Sequence, residues 1–194
     1  MKRIIGFMGI LVLAAIPLHA AEFMVKAGKP NQVVFVSKAA METFDGKTDR
    51  IEGRIVLDPA NVEDTVVVHL EVDLASLDTG IGKRDTHMRE NHLETKKYPK
   101  AIFAGATVLG PKGAKLAAGQ AVTFECEGDF TLHGVTKRLR VTVEVTLRDE
   151  RTLAFKTSFK VPLADYEIDR PKFLFMKLGE VQDVNVEGVA VAAP

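Results

Sequence analysis

Tryptophan is absent from this chain of 194 residues, and cysteine occurs once, as Cys126. No internal disulfide can form, so the fold must be held by its apolar core alone. Neither sign of charge is in excess, with 26 basic and 26 acidic residues. That balance leaves no electrostatic footprint for a nucleic-acid partner. No Gly-x-Ser-x-Gly elbow, Ser-x-x-Lys, His-Glu-x-x-His or phosphate loop occurs, and no Cys, His and carboxylate set has ligand spacing. No catalytic residue, metal or organic cofactor is therefore expected. Internal repeats and low-complexity tracts are missing as well.

The one long apolar run lies at the start. Lys2-Arg3, the stretch 4–16 and Leu18-His19-Ala20 have the charge, apolar region and small-residue cleavage site of an export signal. The apolar part, about 13 residues, falls short of the ~20 a membrane-spanning helix needs. No cysteine stands near the cleavage site to carry a lipid, so no stable membrane anchor is expected. Residues 1–20 are read as a signal peptide and 21–194 as a single exported domain of ordinary size. Removing Lys2 and Arg3 leaves 24 basic against 26 acidic residues.

The rest of the chain alternates apolar and polar residues, the period of a strand with one buried face. Val66, Val68, Leu70, Val72 and Leu74 face one way, His69, Glu71 and Asp73 the other. Val122, Phe124, Cys126, Phe130 and Leu132 form a second such set, followed after a His133-Gly134 turn by Leu139, Val141, Val143, Val145 and Leu147. Leu153, Phe155, Phe159 and Val161 repeat the pattern. Phe44-Asp45-Gly46 reads as a turn, and the shift of apolar parity from Val184 and Val186 to Val189 and Val191 reads as a bulge at Gly188. About eight strands result. Their apolar faces can be buried in a sandwich or in a closed barrel, and a barrel of eight is either filled by its own side chains or holds one ligand.

Alternation stops between Thr79 and Phe103. Gly80 and Gly82 break the preceding strand, residues 83–94 contain good helix formers, and Tyr98-Pro99 ends the helix. From Thr79 to Lys100 six basic residues face three acidic ones, with His87 and His92 among them. Five residues apart, those two histidines are about 140° apart on an ideal helix, which does not suit a metal pair.

Ordered motifs across nearly the whole mature chain resemble the YceI family, the lipocalin-like exported polyisoprenoid-binding proteins. They are Asp73-Leu74-Ala75-Ser76-Leu77-Asp78-Thr79-Gly80, then Arg84-Asp85 with His87-Met88-Arg89, then Tyr98-Pro99 and Phe103, and then Gly128-Asp129-Phe130-Thr131-Leu132-His133-Gly134-Val135-Thr136-Lys137. The resemblance implies an all-β fold, an eight-stranded antiparallel lipocalin-like barrel with a short helical insert between strands three and four. It also implies an apolar tunnel for a polyisoprenoid, quinone-like or fatty-acyl lipid, a periplasmic location, and a homodimer as one assembly open to the chain. The sequence departs from the family at 163–171, where many members have an Arg-x-Asp-Phe-Gly type segment.

On this reading the tunnel lining is Phe35, Val66, Val68, Leu70, Phe103, Phe124, Phe130, Val143, Phe155 and Phe159. The alternative is that these residues simply pack on one another in a filled, partner-binding sandwich. Arg84, Asp85, His87 and Arg89 are candidates for a lid or headgroup clamp, since guanidinium offers paired donors to phosphate or carboxylate. A structural role for Arg84 and Asp85, with Asp85 pairing with Arg89 or holding the loop through backbone N–H groups, is the favoured one. An enzyme using Asp85 and His87 as an acid–base pair is the remaining alternative. Cys126 is expected to point inward and to be inert.

Overall fold

The computed structural model describes residues 20–38, 43–173 and 176–194. Residues 1–19, which hold nearly all of the expected signal peptide, lie outside the described residues.

Strand β1 (Ala21–Val25) and strand β2 (Gln32–Lys38) are two halves of one stave, interrupted at residues 26–31. Both run antiparallel to the last strand, β1 against its final residues and β2 against its first half. Buried Asn31 spans the break: its side-chain N–H donates to the Lys26 carbonyl, and its side-chain oxygen accepts the Val189 N–H at 2.7 Å. β3 (Thr43–Thr48) and β4 (Ile51–Leu57) form the second stave in the same way, pairing with β2 and β1 respectively. A single helical turn, α1 (Val62–Thr65), precedes β5 (Val67–Asp73), which is followed by a 3-10 turn (Leu74–Ser76) and helix α2 (Gly82–Asn91). β6 (Lys100–Gly110), β7 (Ala121–Leu132), β8 (Val135–Asp149) and β9 (Thr152–Pro162) then meander. A second 3-10 turn (Leu163–Tyr166), the short pair β10 (Lys172–Phe173) and β11 (Met176–Lys177), and β12 (Val181–Ala192) complete the chain. Because β12 pairs with β9 on one side and with β1 and β2 on the other, the eight staves close into an antiparallel barrel. The insert sits between the third and fourth staves, and the sandwich is excluded.

Period-two alternation explains the walls. Along β7, Phe124, Cys126, Gly128, Phe130 and Leu132 are buried. The opposite face makes ion pairs across β7 and β8, Arg138 with Glu127 and Asp129, and Arg140 with Glu125. Exposed pairs of this kind contribute little to stability, about 0–1 kcal/mol each; the inward faces carry the energy.

Two sequence expectations are corrected. Phe44-Asp45-Gly46 is not a turn but the middle of β3, with Gly46 directly opposite Phe35. Gly188 does not mark a bulge. The β12–β9 register runs unbroken from Val181 to Val191, and Gly188 lies opposite Phe155. The inward residues beyond it are Gly188 and Ala190, while Val191 faces solvent at 48% exposure. The parity of β12 never changes; its inner positions simply become small. Register shifts occur instead in β6, between Ala104 and Ala106 and between Val108 and Gly110.

Both barrel ends are covered. At one, Val62 of α1 and Leu116 of the 111–120 loop are buried with Phe23, Leu57 and Leu147, and the Leu116 N–H donates to the Pro59 carbonyl. At the other, Leu74, Leu77, Leu163, Tyr166 and Ile168 form a second cluster beneath α2, with Met88 and Leu93 against it.

Candidate functional site: an apolar cavity with one polar end

The barrel is not filled. A cavity of about 770 Å³ runs through it. All ten residues named from the sequence as lining, Phe35, Val66, Val68, Leu70, Phe103, Phe124, Phe130, Val143, Phe155 and Phe159, stand in its wall. The packing of these side chains on one another into a solid core is thereby corrected, and glycines supply the physical reason. A Cβ on Gly46 would come within 3.0 Å of the Phe35 ring, one on Gly128 within 3.0 Å of the Phe103 ring, and one on Gly188 within 3.0 Å of the Phe155 ring. Each ring thus lies over a glycine of a neighbouring stave and stays against the wall. Replacing the rings' space with a methyl would push them inward.

Polar groups gather where α2 covers the barrel. Ser37 lies opposite Phe44 in the β2–β3 register. The Arg84 guanidinium sits 4.0 Å above the Phe44 ring, which places Ser37 at the α2 end. Arg84, His87, His92, Ser37 and Gln182 all line the cavity there, and half-exposed Ile81 in the lining shows that the cavity reaches the surface beside the start of α2.

The α2 residues divide by role. Asp85, only 5% exposed, accepts the Thr79 N–H at 3.0 Å and the Thr79 hydroxyl at 2.5 Å. Arg84 donates from Nε to the Thr79 hydroxyl oxygen and from Nη2 to the Thr79 carbonyl. Arg89 donates to the Asp85 backbone carbonyl and to the Ala75 carbonyl, tying α2 to the first 3-10 turn. Asp85 therefore holds the loop through backbone and hydroxyl donors and does not pair with Arg89 through its carboxylate. Asp85 and Arg89 are absent from the cavity wall, and the Arg89 guanidinium is engaged with the scaffold at the Asp85 and Ala75 carbonyls. Asp85 and His87, two residues apart on the helix, diverge, and among the described residues no hydrogen bond joins them.

His87 instead meets His92, their ring centroids 4.9 Å apart. The 140° separation expected of an ideal helix fails because α2 ends at Asn91 and His92 leaves the helical path, at φ −123° and ψ −53°. His92 Nδ1 lies 3.0 Å from the Asp169 carbonyl, an acceptor, so that nitrogen holds the proton and donates. Burial first, and the His87 ring second, lower the His92 pKa below its ordinary 6.5. Cys126 lies in the wall, its thiol pushed up to about 11 by burial and by Glu125. Among the described residues no three His, Cys, Asp or Glu side chains are grouped to hold a metal.

Sequence reasoning missed Ser37, Gln182, His92, Met88, Leu93 and Ile168 as parts of the wall. For Ser37 a signal existed: it alternates with Val33 and Phe35 on the inward face of β2, where a lone hydroxyl is out of place.

The family model for the YceI-like domain matches residues 25–190. The chain belongs to the YceI-like family. A UPF0312 protein of Pseudomonas putida is 30% identical to this YceI-like chain, over 94% of it and 93% of the relative. Among solved structures, a polyisoprenoid binding domain from Saccharophagus degradans implicated in plant cell wall breakdown superposes with a TM-score of 0.69 at 17% identity, covering 90% of this chain and 99% of that one. BcnA of Burkholderia cenocepacia superposes at 0.68 with 18% identity, covering 82% and 95%. At those identities the likeness is one of fold.

Proposed function

We propose that this YceI-like protein is an exported, periplasmic, non-catalytic carrier that encloses a long-chain isoprenoid, quinone-like or fatty-acyl amphiphile. The observation that carries this reading is the 770 Å³ cavity with its aromatic and aliphatic wall and its polar groups at one end. The tail lies in the barrel and the headgroup beneath α2, with entry and exit beside Ile81. The volume falls within the ~300–1,000 Å³ of ordinary ligand sites. At the ~30 Å³ a water occupies in the liquid, the space amounts to about 25 such units. The name of the Saccharophagus domain, a polyisoprenoid binder, agrees with this class of cargo.

Burial energetics make the reading quantitative. Each methylene moved from water to the wall contributes about 0.8 kcal/mol, a factor of about four in Kd. Displacement of a fluorescent fatty-chain probe by straight-chain alcohols of increasing length tests this. The expected Kd falls about fourfold per methylene and levels off when the cavity is full. A Kd independent of length, or no displacement at any length, would overturn the carrier reading.

A further inference from the structure

Two buried polar atoms at the α2 end of the cavity have no hydrogen-bond partner among the described residues: Ser37 Oγ and His92 Nε2. Ser37 is 1% exposed and lines the cavity, as does His92. Buried polar groups in folded proteins are nearly always paired, so two orphans on one cavity mark a place where a ligand completes the bonding. Their chemistry is complementary. His92 Nδ1–H already donates to the Asp169 carbonyl, which leaves Nε2 of the neutral ring as a lone-pair acceptor. The Ser37 hydroxyl donates and accepts. Gln182, close by on β12 across from the end of β2, has its side-chain N–H on the Gly179 carbonyl and adds a third polar side chain to the same end.

We infer that the polar end of the cavity is a subsite for a neutral headgroup that donates one hydrogen bond to His92 Nε2 and accepts one from Ser37, a hydroxyl in its simplest form. The inference rests on the carrier reading and sharpens it, because it separates cargoes the apolar wall treats alike. A carboxylate places negative charge against the His92 lone pair. An oxidised quinone or an ether has acceptors only and leaves Nε2 unpaired. Arg84 does not reverse this preference, since its Nε and Nη2 are bonded to Thr79 and its face to Phe44. Lys83, the other cation in the lining, is exposed at the surface end of the cavity.

The test compares hexadecanol, its methyl ether and hexadecanoate by probe displacement at about pH 8. The expected result is tighter binding of the alcohol than of either analogue by about tenfold, since a site built around a hydroxyl discriminates against ligands that leave it unpaired. His92→Phe is expected to raise the alcohol Kd to that of the ether while leaving the ether unchanged, and Ser37→Ala to raise the Kd of alcohol and ether alike, since both present an oxygen acceptor to its hydroxyl. Should His92→Phe fail to fold, the ligand comparison on the natural protein and Ser37→Ala remain decisive. Equal binding of alcohol and ether, tightest binding of the carboxylate, an undiminished preference in His92→Phe, or unchanged Kd values in Ser37→Ala overturns the subsite and leaves the carrier intact. Binding by none of the three overturns both.

Discussion

Gly188→Ala is the sharpest perturbation of the cavity wall. Gly188 has no left-handed backbone requirement, so alanine there should gain the ~0.5–1 kcal/mol that a strand interior normally gains on losing glycine. The new methyl, however, falls within 3.0 Å of the Phe155 ring. The ring must swing off the wall into the barrel. Overpacking of this kind costs about 1–3 kcal/mol, so a net loss of about 1–2 kcal/mol in urea unfolding is expected. Inside the cavity the displaced ring takes room from the ligand. Exclusion of two to three methylenes corresponds to about 2 kcal/mol, or a Kd about 30-fold higher for the longest bound alcohol. Phe155→Leu on the Gly188→Ala background should recover much of both losses, with a coupling energy of about 0.5–3 kcal/mol in the double-mutant cycle. If Gly188→Ala alone stabilises the protein and leaves the chain-length profile unmoved, the reasoning that glycines hold the rings against the wall is wrong.

Three further outcomes are expected. Asp85→Ala leaves the Thr79 N–H and hydroxyl without their acceptor and should destabilise the fold by about 1–3 kcal/mol in denaturant titration, whereas an unchanged midpoint would remove Asp85 from the scaffold. His92 has a folded pKa below 6.5, so the unfolded chain binds protons more readily. Stability should therefore be full above that value and fall as pH drops through it, and His92→Gln should flatten that part of the curve; an identical slope in the variant would contradict the assignment. Cys126, at about 11 against an ordinary 9.0, has roughly 100-fold less thiolate at pH 8 than a free thiol. Its labelling by a thiol reagent should be at least that much slower in the native protein than in denaturant, and comparable rates would place the thiol outside the wall.

The strands were legible because the long staves are half-buried and alternate strictly, as β7 and β8 do, but alternation fits a sandwich equally, and the barrel with its tunnel came from the family motifs. All ten lining residues could be named because inward aromatic and aliphatic positions are visible in that period. Errors arose at glycines. Gly46 and Gly188 have the local signature of turns and bulges, yet each is an ordinary strand residue whose missing side chain accommodates a phenylalanine ring from the next stave. That relation spans cross-strand partners far apart in the sequence, or depends on register, and no local pattern contains it. The polar end was hidden for a similar reason. The orientation of His92 depends on where α2 stops and on the Asp169 carbonyl, 77 residues later in the chain. Arg84 and Arg89 were candidates for a clamp by composition, with a structural role favoured for Arg84, and their bonds to Thr79 and Ala75 show both tying down the insert.

Native mass spectrometry of protein purified without detergent, followed by solvent extraction of whatever is released, tests the central claim most directly. The account predicts a stoichiometric added mass belonging to a single long-chain amphiphile, released by organic solvent and rebound by the stripped protein. A clean apo mass that stays unchanged after incubation with mixed isoprenoids, quinones and fatty-chain lipids would contradict it.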